Sequence, residues 1–154
     1  MATEEQQKTS ARYKFKELKV YASTEWLADN KKKYRQVFDR HHTNYIYAEL
    51  SFYNKLFDQE QWEVQVDLNC YAVQPDQPEK LCSLSFKRKV SKYDPVVYIR
   101  EGWGNKKDGV FWKKGSYYWE ALIEGEQVAK KYFYVEDCGK ELKREQNPYL
   151  RLQS

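Results

Sequence analysis

Gly115-Ser-Tyr-Tyr-Trp-Glu-Ala-Leu-Ile-Glu-Gly-Glu-Gln-Val-Ala-Lys-Lys-Tyr-Phe-Tyr-Val135 is the stretch that decides the fold. Tyr117, Trp119, Ala121 and Ile123 recur at every second position, which places them on one face of an extended strand. Glu124-Gly125 then supplies a turn, because glycine takes positive φ at no steric cost. The chain returns through Gln127–Val135, with Phe133 and Val135 on one face and Val128, Tyr132 and Tyr134 on the other.

The same period extends upstream. In Trp62–Val73, Trp62, Val64, Val66, Leu68, Cys70 and Ala72 alternate with Glu63, Gln65, Asp67, Asn69 and Tyr71, the pattern of a strand with one wet face. Ile46, Ala48, Leu50 and Phe52 share a face of Tyr45–Tyr53, and Leu81–Val90 alternates through Cys82, Leu84, Phe86, Arg88 and Val90. Phe15–Ala22 and Val96–Arg100 are shorter candidates. Lys55–Gln61, the Pro75 and Pro78 segment and Tyr93-Asp94-Pro95 read as turns. Gly102–Gly109 reads as a glycine-framed loop carrying Trp103. Ser23–Arg40 suits a helix, a loop or a strand; we favour a loop or single turn at Trp26–Lys33 followed by a short strand. Seven or eight strands without a long helix predict an all-β, immunoglobulin-like antiparallel sandwich.

Composition agrees. Aromatic residues make up 17% of the 154 residues, with 14 Tyr, 5 Trp and 7 Phe, and these side chains favour pleated, half-buried surfaces. The expected organisation is a disordered leader over 1–12, a sandwich over 13–138 and a charged linker over 139–154. No run approaches the roughly 18 apolar residues of a membrane helix. The first residues lack the apolar segment of a secretory signal, and Cys70, Cys82 and Cys138 are an odd number. A reducing cytoplasm is the compartment these features predict.

Sites of chemistry are sparse. The sequence has no GxxxxGK[ST] loop, GxSxG elbow, HExxH or CxxC. His41 and His42 are adjacent, so on extended backbone they point apart and do not readily share a metal. Glu124/Glu126 and Glu136/Asp137 read as solvated turn carboxylates, and Cys70 and Cys82 as small core residues. No enzyme activity, metal or cofactor is expected.

Binding is the remaining class. The candidate residues are Trp103, Asn105, Lys106, Lys107, Phe111 and Trp112, in and beside the glycine-rich loop. Exposed aromatics anchor protein interfaces and also stack on sugars. Trp103 is expected to be exposed, whereas Trp112 fits an exposed anchor and a core residue equally well. Lys31-Lys32-Lys33, Lys87-Arg88-Lys89 and Lys106-Lys107, with aromatics nearby, suit single-stranded nucleic acid. The 23 acidic residues interleaved with 27 basic ones, for a net charge of +4, weigh against it. A protein partner leads; a carbohydrate-binding module and a nucleic-acid binder follow.

Several stretches resemble a known family when taken together. They are Ala22-Ser-Thr-Glu-Trp-Leu-Ala-Asp-Asn-Lys-Lys-Lys-Tyr-Arg-Gln-Val-Phe-Asp39, Tyr45-Ile-Tyr-Ala-Glu-Leu-Ser-Phe-Tyr-Asn-Lys-Leu-Phe57, Arg100-Glu-Gly-Trp-Gly104, and Trp112-Lys-Lys-Gly-Ser-Tyr-Tyr-Trp-Glu120 running on to Phe133-Tyr-Val-Glu-Asp137. They are similar to the N-terminal region of Bacteroides-type AAA+ ATPases of the stage V sporulation protein K-like kind. The resemblance spans Lys14 to Tyr149. It implies a non-catalytic accessory domain that recruits a substrate or adaptor protein, with an ATPase module of the same polypeptide following the linker. It carries no defined set of binding residues.

Overall fold

The alternating segments form strands in a computed structural model of the chain, which describes residues 10–22 and 36–137. Among the described residues there are eight: β1 (Tyr13–Ala22), β2 (Gln36–Asp39), β3 (Tyr45–Asn54), β4 (Trp62–Ala72), β5 (Glu79–Val90), β6 (Val96–Gly104), β7 (Gly115–Ile123) and β8 (Glu126–Glu136). The only helical piece among them is one 3-10 turn, Arg40–His42. No helix of the described residues is long and apolar enough to cross a membrane. The expected loop at Trp26–Lys33, Cys138 and the linker over 139–154 lie outside the described residues.

The strands form two sheets, ordered β1-β3-β6 and β2-β8-β7-β4-β5. The two sheets pack together as an all-β sandwich, as expected. β1 pairs with β3; after the intervening segment β2 pairs with β8 in the other sheet. The β2–β8 pair is parallel, so the expected all-antiparallel sandwich is modified at this edge. Sequence could not show this, because a four-residue strand carries too little pattern to name its partner.

Inward-facing positions fill the space between the sheets. Ile46, Leu50 and Phe52 of β3 and Val97 and Ile99 of β6 face Val64, Val66 and Leu68 of β4 and Trp119, Ile123, Phe133 and Val135 of the hairpin, all buried. Cys70 and Cys82 are also buried and directly opposite one another. The turn between β7 and β8 has both central residues at positive φ, Glu124 at 53° and Gly125 at 84°, as a type I′ hairpin demands. Val128 departs from the expected facing and is fully buried. A bulge lies where Ala121 pairs with Ala129 and Leu122 with Gln127, and the extra residue turns Val128 inward.

A corner outside the sheets fixes the start of β7. The Tyr117 hydroxyl donates to the Lys113 carbonyl at 2.5 Å and accepts from the Lys113 N–H at 3.2 Å. The tyrosine thereby ties the start of its strand back to the loop before it.

Candidate functional site

The sandwich has two ends, and their aromatic side chains behave differently. One end holds the connection from β6 to β7, where sequence placed the candidate site. β6 runs on through Gly102, Trp103 and Gly104, so the expected loop begins only at Asn105. Gly104 sits at φ 152°, and a Cβ there would overlap the Asn44 carbonyl oxygen. Two backbone bonds close the connection onto the residues that follow the 3-10 turn: Asn105 N–H to Asn44 O at 3.1 Å and Gly109 N–H to Thr43 O at 3.1 Å. The loop is thereby folded over the sandwich end, and its rings go under it.

Trp112 is 0% exposed, which corrects its candidacy as a binding residue. Its ring meets Phe111, Tyr117 and Phe133 edge-on at centroid distances of 4.9, 5.1 and 5.6 Å, and its indole N–H donates to Trp103 O at 3.3 Å. Trp103 and Phe111 are half-buried and pack against the core, so Trp103 is not the exposed anchor expected. Of the six candidates only Asn105, Lys106 and Lys107 are exposed, and the Asn105 side chain is engaged by the Lys107 N–H at 3.0 Å. Lys113 and Lys114 add two more exposed cations here.

The same end fastens β2 to β8. Asp137 accepts from Arg40 at 2.9 Å and meets His41 Nε2 at 2.6 Å. His42 Nδ1 instead meets Asp39 at 2.6 Å; the two histidines part, but from a 3-10 turn and not from the extended backbone expected for them. The His41 contact, then the Arg40 guanidinium, hold the Asp137 carboxyl below its ordinary value.

The opposite end carries the turn between β3 and β4, the corner between β5 and β6, and the β7–β8 hairpin turn. Asn54, buried at the end of β3, ties the first two together. Its Nδ2 donates to the carbonyls of Ser91 at 3.2 Å and Asp94 at 3.0 Å. Its Oδ1 accepts from the Leu56 N–H at 2.9 Å and the Trp62 indole at 3.0 Å. Its own N–H donates to Pro95 O at 2.9 Å, and Asp58 N–H reaches Lys92 O at 2.6 Å. Every hydrogen-bonding direction of the amide is used, so the two turns form one braced unit.

Large side chains stand exposed on this unit and beside it. Phe57 is 45% exposed on the turn, Tyr93 is 70% exposed on the corner, and Tyr53 and Tyr98 are 42% and 52% exposed on the adjoining face of the three-stranded sheet. Sequence reasoning missed Phe57 and Tyr93 because turns have no alternation to interpret. The available signal was the placement itself: a large aromatic inside a turn fills no strand face.

Other arrangements offer less. Tyr71, Tyr118 and Tyr132 form a row across the outer face of the five-stranded sheet, with centroids 5.0 and 5.1 Å apart. Tyr71 and Tyr118 stack on each other, so their rings stand on edge and do not present flat faces to a sugar. Burial pushes both thiols up, Cys82 to about 11 and Cys70 further, with each other's proximity adding to Cys70, so both stay protonated at neutral pH. Among the described residues no group of three or more His, Cys, Asp or Glu is placed to hold a metal.

No family model matches the chain, and no curated protein does either. Among solved structures it is similar to part of the alkylpurine DNA glycosylase AlkC of Pseudomonas fluorescens, solved bound to DNA containing an abasic site analog. The TM-score is 0.51 at 14% identity, over 81% of this chain and 30% of that one. A β-glucosidase from Listeria innocua in complex with glucose matches with TM-score 0.44, 9% identity, and coverage of 77% and 16%. A Niemann-Pick type C2 protein from Japanese carpenter ant matches with TM-score 0.41, 14% identity, and coverage of 81% and 93%. The chain thus spans under a third of the glycosylase, and that likeness is one of fold alone.

Proposed function

We propose that this chain is a non-catalytic protein-interaction module that docks its partner at the end carrying Phe57 and Tyr93. The carrying observation is that two exposed aromatics stand on turns braced by a single buried amide, Asn54. Rigid presentation lowers the ordering cost of binding, and large aromatics are the usual anchors of protein interfaces. In the more specific form given by the sequence resemblance, the module recruits substrates or adaptors to an AAA+ ring; a Walker loop encoded in frame after Ser154 would support that form.

The test is selection of random displayed peptides against the full chain. Enriched peptides should lose binding to a Phe57→Ser/Tyr93→Ser variant that keeps the wild-type melting curve. Equal binding to both proteins, or glycan-array hits with no enriched peptide, overturns the proposal.

A second reading, single-stranded nucleic acid at the other end, has the exposed Lys106, Lys107, Lys113 and Lys114 in its favour. The glycosylase of similar fold is bound to DNA, though its likeness bears on fold only. Half-burial of Trp103 and Phe111 leaves little aromatic face for stacking. A gel shift with oligothymidylate in low salt tests it, and affinity should collapse as salt is raised.

A further inference from the structure

The charges around Phe57 and Tyr93 are unbalanced in what they touch. The turns at this end carry Asp58 and Glu60 beside Phe57, Asp94 beside Tyr93, and Glu124 and Glu126 on the hairpin. The two lysines of these turns and Arg12 are engaged. Arg12 pairs with Glu124 and lies 5.0 Å from the Trp62 ring centroid. Lys55 Nζ donates to the Ser10 carbonyl at 2.8 Å. Lys92 places its ammonium 5.3 Å from the Tyr93 ring centroid. Asp58, Glu60, Asp94 and Glu126 make no ion pair among the described residues. The field of this end is felt by buried Tyr13, whose phenol is pushed up by burial first and then by Glu126 and Glu124, against Arg12.

We propose that this end recognises a lysine- or arginine-bearing segment of a protein partner. The aromatic pair Phe57 and Tyr93 takes the stems and cationic heads, and Asp58, Glu60 and Asp94 hold the charge. Lys92 already shows the Tyr93 ring accepting an ammonium. A partner cation would use the same attraction of ring face for positive charge, from the ring face that Lys92 leaves open or in its place. The unpaired carboxylates favour a basic over an acidic segment, and they disfavour a nucleic-acid backbone at this end. Aromatics without the acidic surround would accept an apolar segment equally well; the carboxylates make the choice.

This inference rests on the interaction-module reading and is separable from it. The probes are two short fluorescent peptides of equal length, one alternating arginine with leucine and one alternating glutamate with leucine, followed by anisotropy on the full chain. The arginine peptide should bind at least about tenfold tighter than the glutamate peptide in low salt, with the gap narrowing in high salt. Tyr93→Ala should weaken the arginine peptide by about tenfold, while Tyr93→Phe keeps most of the affinity. Asp58→Asn/Glu60→Gln/Asp94→Asn should erase the preference without shifting the melting curve. Equal binding of the two peptides, or an unchanged preference in the triple variant, overturns the cationic partner and leaves the module reading standing if Phe57→Ser/Tyr93→Ser still abolishes selected binders. If that double variant binds its selected peptides normally, both readings fall.

Discussion

The two ends of the sandwich are built from similar residues and put them to opposite use. At the β6–β7 end, Trp103, Phe111 and Trp112 turn inward beneath a loop of exposed lysines. At the β3–β4 end, Phe57 and Tyr93 turn outward beside Asp58, Glu60 and Asp94, which make no ion pair among the described residues. Backbone makes the difference. Gly104 lets its strand approach Asn44 closely enough for the loop to lie flat on the core, so the rings have somewhere to go. Asn54 instead ties two tight turns to one another, and Phe57 and Tyr93 stand exposed on them. Aromatic content therefore does not locate a binding surface; what the adjoining backbone is fastened to does.

The widest contrast is in stability. Trp112→Ala should cost about 3–5 kcal/mol, since it empties a site lined by Phe111, Tyr117 and Phe133. Tyr93→Ala should stay within about 0.5 kcal/mol, as an exposed side chain away from caps and core. Urea denaturation of both measures the gap; equal losses would erase the distinction between the ends.

Asn54→Ala attacks the brace itself. It leaves the Trp62 indole and the Leu56 N–H without their acceptor and two carbonyls without their donor, in a buried setting. A loss of about 2–3 kcal/mol is expected from stranded polar groups of this kind. Amide exchange should quicken in Leu56 and Asp58 more than in the strands. A destabilised variant whose turns stay as protected as its strands would show that Asn54 serves the core and not the turns.

Tyr117→Phe tests the lysine-bearing end in the same way. It removes only the hydroxyl that accepts from and donates to Lys113, and keeps the ring stacked 5.3 Å from Phe133. About 1–1.5 kcal/mol should be lost, read as a lower denaturation midpoint with an unchanged slope.

Much of the fold was legible because a strict period of two leaves little freedom. Trp119, Ala121 and Ile123, or Val64, Val66 and Leu68, can face one core only if their segments are strands. Val128 was misassigned to the outer face because a bulge adds one residue and leaves no mark in composition. The parallel pairing of β2 was hidden for a different reason: a four-residue strand has too little pattern to name a partner. At the candidate site, residue types were legible and burial was not. Trp103 lies between glycines in a segment that reads as an open loop and Trp112 just beyond it, and only the closure onto Thr43 and Asn44 shows that the loop folds down. Phe57 and Tyr93 sat in segments read correctly as turns, but the brace that presents them comes from Asn54, outside both.

The smallest expected effect concerns the fastening of β2 to β8. Asp137 has its folded-state pKa depressed, chiefly by His41 and then by Arg40, so its ionised form favours the folded chain. The contribution is complete above the ordinary carboxylate pKa of about 3.9 and is lost as pH falls through the lower folded value. The contact is solvent-exposed, so the shift in midpoint should be small and sensitive to salt. Asp137→Asn removes the titrating group while leaving an acceptor for Arg40. Wild type should exceed this variant in melting temperature above pH 4, and the two should converge as the medium is made more acidic. Asp58→Asn, at the other end and without an ion pair among the described residues, should show no such convergence from a wild-type advantage. A parallel response of the two variants would mean that the acidic surface at large, and not the clamp on β2, sets the acid limb.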